Sequence, residues 1–123
     1  MEYKRAERVA ELLKEEISRI IQTEVRDPRV SLSTITSVEM SDDLKHAKIY
    51  FVCDPKKQKS TKDGFDKSTG FIKKILASRL TLRYMPNIYF HYDTSLDYSL
   101  KIEGLLKKVK AEERHEEDDD VDE

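Results

Sequence analysis

Residues 46–53, HAKIYFVC, alternate without a break: Ala47, Ile49, Phe51 and Cys53 fall on one face, His46, Lys48 and Tyr50 on the other. A period of two over eight residues fits a half-buried β-strand, because a helix would scatter these side chains around its axis. Such a strand needs hydrogen-bonding neighbours at its edges and a layer over its apolar face. The rest of the chain must supply both. NIYFHYD repeats the alternation, with Ile88, Phe90 and Tyr92 opposed to Tyr89, His91 and Asp93. Upstream, TITSVEMS predicts another strand, with Thr34, Thr36, Val38 and Met40 on one face. The SDDLK that follows carries turn-prone Ser41, Asp42 and Asp43, so an antiparallel hairpin is the economical connection to HAKIYFVC.

The covering layer comes from segments of helical period. Between Tyr3 and Glu24, Ala6, Val9, Ala10, Leu13, Ile17, Ile20 and Ile21 recur at spacings of three and four, which predicts one long amphipathic helix. It should stop before Pro28, which disfavours helical geometry at Asp27. Asp54 to Gly64, DPKKQKSTKDG, has no apolar side chain to pack and reads as a mobile loop. Beyond it Phe65, Thr69, Ile72, Ile75, Leu76 and Leu80 define a second helix, with Gly70 inside it. In KKILASRLTLRYMP the rhythm changes, since Leu80 and Leu82 sit two apart; the residues allow either a straight helix or two short helices around a bend near Ala77. A closing helix is predicted over LDYSLKIEGLLKKV, on Tyr98, Ile102, Leu105, Leu106 and Val109. The expected class is α+β, a three-stranded sheet with helices on one face.

Length sets one domain, and charge divides it. The net charge of −2 hides nine acids against one Arg in the last twelve residues, leaving 22 Lys+Arg and 16 Asp+Glu in residues 1–111. A basic body favours a polyanionic partner, and a block of like charge is a solvated tail. The expected organisation is a domain over 1–110 and an acidic disordered tail over 111–123. Cys53 is the single cysteine and reads as a small core residue in a reducing compartment. No apolar run approaches a membrane span, so a cytoplasmic monomer is expected.

Catalytic chemistry finds little support. His46, His91 and His115 have no metal-ligand spacing, and Gly64, Gly70 and Gly104 cannot build a phosphate-cradling loop. Asp42 and Asp43, at a hairpin tip, suit local backbone hydrogen bonds better than acid–base work. No cofactor or metal is implied. Polyanion binding is better supported: Lys73, Lys74, Arg79 and Arg83 crowd the region where the rhythm changes. Lys45, Lys48, Lys56, Lys57, Lys59 and Lys62 extend that charge, and Arg5 and Arg8 open the first helix. The same cations also fit the solvated faces of amphipathic helices.

The predicted order resembles a type II KH domain, but LASR, residues 76–79, stands where the backbone-gripping G-x-x-G loop would be. With SDDLKHAKIYF, TGFIKKILASRLTLRYMPNIYFHYD and the N-terminal RVAELLKEEISRII, the chain resembles the bacterial ribosome-binding factor A family from about Tyr3 to Val109. The resemblance implies a non-enzymatic factor of late small-subunit biogenesis that binds the immature 30S particle and 16S rRNA, promotes final folding and processing, and assists growth in the cold. It further implies a helix-kink-helix centred on Ala77 in place of the G-x-x-G loop. Ala77 and Ser78 would cover the backbone route to phosphates, so RNA contacts move to Lys73, Lys74, Arg79 and Arg83, with Arg5, Arg8, Lys45 and His46 as weaker contributors. Functional coupling to a ribosome-associated GTPase belongs to the same expectation. The alternative is a protein-binding adaptor whose basic surface meets an acidic ribosomal protein or assembly factor.

Overall fold

The computed structural model describes residues 2–95. Helix α1 (Glu2–Thr23) leads through a short helix α2 (Pro28–Ser31) to strands β1 (Thr34–Met40) and β2 (His46–Val52). A 3-10 turn (Pro55–Lys57) then opens helix α3 (Gln58–Arg79), and strand β3 (Asn87–Tyr92) follows. β2 is central, antiparallel to β1 and parallel to β3, so α3 is the crossover of a β–α–β unit. α1 lies against β1 and α3 against β3. The α+β class holds.

The core sits between these helices and one sheet face. α1 contributes Leu13, Ile17, Ile20 and Ile21, β2 Ala47, Ile49 and Phe51, and β3 Ile88 and Phe90. At its centre the Phe65 ring of α3 stacks on Phe90, centroids 4.3 Å apart, and meets Phe51 at 4.7 Å. Such contacts add about 1 kcal/mol per pair to area burial. The alternation read in β2 and β3 is the alternation observed. Cys53 is half-buried and packs against this core.

α1 stops where Pro28 requires: Asp27 is extended, and its carboxylate caps α2 by accepting from the Arg29 N–H at 3.0 Å. At four residues, α2 is too short to leave a period in the sequence. At the hairpin tip the Asp43 carboxylate accepts from Ser41 Oγ at 2.6 Å and from the Lys45 N–H at 3.0 Å. Leu44 beside it adopts φ 62°, the left-handed conformation that this tight turn imposes on a non-glycine residue.

Three expectations need correction. β1 keeps Val38 and Met40 inward, but Ile35 joins them instead of Thr34. Thr36 is an extra residue between the Ile35–Phe51 and Ser37–Tyr50 pairs, and this bulge shifts the phase of the strand. Asp54–Gly64 is no mobile loop: Asp54 caps the 3-10 turn through the Lys56 N–H, Pro55 stands at its first position, and the rest is the beginning of α3. The segment lacks large apolar residues because Thr61 and Gly64 are its buried positions. Finally, α3 continues as one helix through Ala77 and Ser78 to Arg79, so no break and no separate short helix follows Ala77. The chain turns at Leu80 instead, into extended backbone. The closing helix and the acidic tail lie outside the described residues.

Candidate nucleic-acid interface

The C-terminal end of α3 closes on a last backbone bond, Leu80 N–H to Leu76 O at 2.8 Å. Ser78 Oγ donates to Ile75 O at 2.7 Å, so its hydroxyl is spent within the helix. After the turn, Leu80, Leu82 and Met85 are half-buried and Pro86 is buried, which pins an otherwise irregular segment to the body. Leu80 and Met85 pack against the core, whereas Leu82 is half-buried without joining it. Arg83 and Tyr84 remain outside, the guanidinium 5.6 Å from the ring centroid.

Parallel pairing then assembles what the sequence keeps apart. Asn87, at the start of β3, donates its N–H to the Lys45 carbonyl at 2.9 Å and lies opposite His46. Its side-chain carbonyl oxygen is 3.5 Å from Lys73 Nζ. Lys45, His46 and Lys73 therefore meet at one corner, where the hairpin end, β3 and α3 converge. His46 also faces Tyr89, with ring centroids 6.0 Å apart and Nδ1 3.2 Å from the phenolic oxygen. Lys74 and Arg83 are exposed, and no carboxylate among the described residues forms an ion pair with Lys73, Lys74 or Arg83.

Arg79 behaves differently. Its guanidinium lies 3.0 Å from Glu24 and 3.7 Å from Glu16, both on the α1 side of the layer. Glu16 is shared with Arg19 at 2.6 Å, and its second carboxylate oxygen is buried without a hydrogen-bond partner, facing Arg79. That position ties two helices together and spends most of the charge a phosphate would need. Arg5 and Arg8 are exposed, about 16 and 12 Å beyond Glu16 along α1 at 1.5 Å per residue. Ala77 and Ser78 are exposed in the last turn of α3 and present a Cβ and a satisfied hydroxyl.

Asn87 and Tyr89 were missed as site residues. The sequence had placed Tyr89 outward, but only the register of β3 against β2 sets these two beside Lys45 and His46. Lys73, Lys74 and Arg83 form no ion pair among the described residues, Asp43 is the carboxylate that acts on Lys45 and His46, and cations beside exposed π faces are chemically suited to phosphates and stacked bases. Among the described residues no group of three His, Cys, Asp or Glu side chains could hold a metal ion, and no helix is long and apolar enough to cross a membrane.

A family model described as ribosome-binding factor A matches residues 5–106. A ribosome-binding factor A from Halothermothrix orenii is 48% identical, covering 92% of this chain and 94% of its own. In fold, the crystal structure of ribosome-binding factor A from Thermus thermophilus superposes with a TM-score of 0.65 at 22% identity, over 71% of this chain and 94% of that one. A Thermus thermophilus ribosome binding factor A homology model, fitted into a cryo-electron microscopy map of its 30S complex, superposes with a TM-score of 0.54 at 22% identity, over 68% and 90%.

Proposed function

Since the chain belongs to the ribosome-binding factor A family, we propose that it is a non-enzymatic factor that binds the immature small (30S) ribosomal subunit through 16S rRNA and promotes late maturation and rRNA processing, including in the cold. The observation that carries this reading is the corner of Lys45, His46 and Lys73 around Asn87, with Lys74 next to Lys73 in α3 and Arg83 exposed in the segment before β3, both without an ion pair among the described residues. Lys73, Lys74 and Arg83 contact phosphates, Lys45 and His46 add to them, and Arg79 supports the site by fixing the end of α3. Ala77 and Ser78 deny the close backbone approach that a G-x-x-G loop offers, so side-chain charge and the shape of folded rRNA decide binding. Residues 1–110 are the binding domain in this proposal and 111–123 a solvated acidic tail. The protein acts in the cytoplasm as a monomer, with a ribosome-associated GTPase as the partner that would couple to its release.

The test compares wild type with Lys73→Glu/Lys74→Glu and with Arg83→Glu for co-sedimentation with immature and mature small subunits. Wild type should favour the immature particle, and each variant should weaken binding about tenfold without lowering the melting temperature. Binding as tight as wild type removes these residues from the interface. Ribonuclease treatment of the particle distinguishes the two partner classes: a contact that survives it is to protein, and favours the adaptor reading.

A further inference from the structure

The sheet buries one face under α1 and α3, and no described element covers the other. Its outward residues on β2 are His46, Lys48, Tyr50 and the half-buried Val52; opposite the first three on β3 stand Asn87, Tyr89 and His91. They form two ring pairs, His46 with Tyr89 and Tyr50 with His91, the second with centroids 5.8 Å apart. No large aliphatic side chain stands between these two pairs, and Val52 lies beyond the Tyr50–His91 pair. At its far end His91 lines a pocket together with Lys56, Lys59 and Lys62 of the α3 opening. Lys62 is held by Asp66 at 2.8 Å, while Lys56 and Lys59 form no ion pair among the described residues. Among the described residues, Asp43 near His46 accepts from Ser41 Oγ and the Lys45 N–H, Glu39 of β1 accepts from the Tyr50 hydroxyl at 3.2 Å, and Asp54 caps its own turn.

The strip begins at the proposed phosphate corner and ends at the lysine pocket. Five residues of β3, from Asn87 to His91, span about 13 Å in four steps of about 3.3 Å. Cations at both ends with a polar aromatic track between them match a short stretch of polyanion whose monomers carry flat π faces, and match an apolar protein surface poorly. We propose that this open sheet face takes a single-stranded RNA segment, its bases against Tyr89 and His91 and its backbone entering the pocket of Lys56 and Lys59. The assignment rests on RNA being the partner proposed above, and it adds a second site to the folded rRNA contact at the corner. Stacking on a sheet platform tolerates any base, so the segment is selected by being unpaired rather than by its sequence.

The full chain is titrated with a fluorescein-labelled eight-nucleotide RNA. Tyr89→Ala/His91→Ala should weaken this binding about tenfold or more, in the range of lost base stacking. Tyr89→Phe, which keeps the ring, should retain it. Lys56→Glu/Lys59→Glu should weaken it and flatten the dependence of log affinity on log salt by about 0.7 for each lost phosphate contact. Wild-type affinity in the alanine double variant, with its melting temperature unchanged, overturns the proposal. A photo-cross-linking residue at position 89 should attach to rRNA on the small subunit; attachment to ribosomal protein alone also overturns it. A wild type that binds subunits but not the short RNA rejects the sheet face and leaves the proposed function standing. One that binds the short RNA but not subunits does the reverse.

Discussion

The Arg79 guanidinium sits 3.0 Å from the Glu24 carboxylate, joining the last turn of α3 to the residue that follows α1. Glu16 lies behind this pair with a buried, otherwise unpartnered oxygen. A basic residue at the end of a proposed RNA-binding helix thereby becomes part of the scaffold.

Removing that side chain should register first as lost stability. Arg79→Ala is expected to cost roughly 1 kcal/mol in urea unfolding, at the upper end for a partly exposed pair because the buried Glu16 oxygen loses the cation facing it, while Arg19 holds only the other oxygen. Arg79→Glu should cost more. Combining Arg79→Ala with Glu24→Ala should cost less than the sum of the two, and a strictly additive cycle would show that the pair carries no energy. Any binding defect in an Arg79 variant must be read against its stability, a confound absent at Lys73, Lys74 and Arg83.

The two glycines of α3 should respond oppositely to alanine. A Cβ on Gly70 meets nothing within 4 Å, so Gly70→Ala should stabilise by about 0.5–1 kcal/mol through helix propensity. A Cβ on Gly64 would stand 3.0 Å from Val30 Cγ2 and 3.3 Å from Arg29 Cβ. Val30 is fully buried and cannot retreat, so Gly64→Ala should lose about 1 kcal/mol despite the same propensity gain. Equal melting temperatures for the two variants would mean that α2 shifts freely.

Phe65 touches both Phe51 and Phe90 and is fully buried. Phe65→Ala should cost about 3–5 kcal/mol, a large share of the roughly 5–15 kcal/mol typical of a domain. Phe65→Leu should recover most of that loss. Equilibrium unfolding of both variants decides whether the ring stack or general burial carries the core.

Acid should weaken the fold partly through Asp27. Hydrogen bonds from the Arg29 side chain, 2.7 Å at the closest, hold its carboxyl below the usual value near 3.8, outweighing the opposing effect of burial. The unfolded chain takes up this proton first, so stability rises with pH across the interval. Asp27's contribution is complete above the unfolded pKa and disappears as pH falls through the lower folded one. Asp27→Asn should therefore flatten the fall in melting temperature between about pH 5 and pH 2. A curve parallel to wild type would reject the linkage.

What the sequence disclosed followed from how local each determinant was. The inward sets of β2 and β3 were legible because nothing interrupts Ala47–Ile49–Phe51 or Ile88–Phe90–Tyr92. β1 was legible only in part, since Thr36 inserts one residue and its hydroxyl bonds the Tyr50 carbonyl at 3.3 Å. The opening of α3 was misread from its polarity, although Asp54–Pro55 is a cap followed by a first-turn proline and could have signalled a helix start. In the site, charge alone marked Lys73 and Arg79 as equals. Their partners separate them, and those partners, Asn87 for one and Glu16 and Glu24 for the other, are set by tertiary packing.

The parallel pairing of β2 with β3 also fixes an order of events in time. Hairpin β1–β2 closes over a few residues, whereas His46 cannot face Asn87 until the whole of α3 has folded back between them. Long-range contacts of this kind repay their closure entropy late. Pulse-labelled hydrogen exchange during refolding should protect the hairpin amides before those of β3, and simultaneous protection would contradict this. On this account both proposed RNA surfaces are completed by the same final docking event, so a chain whose β3 is still detached has neither.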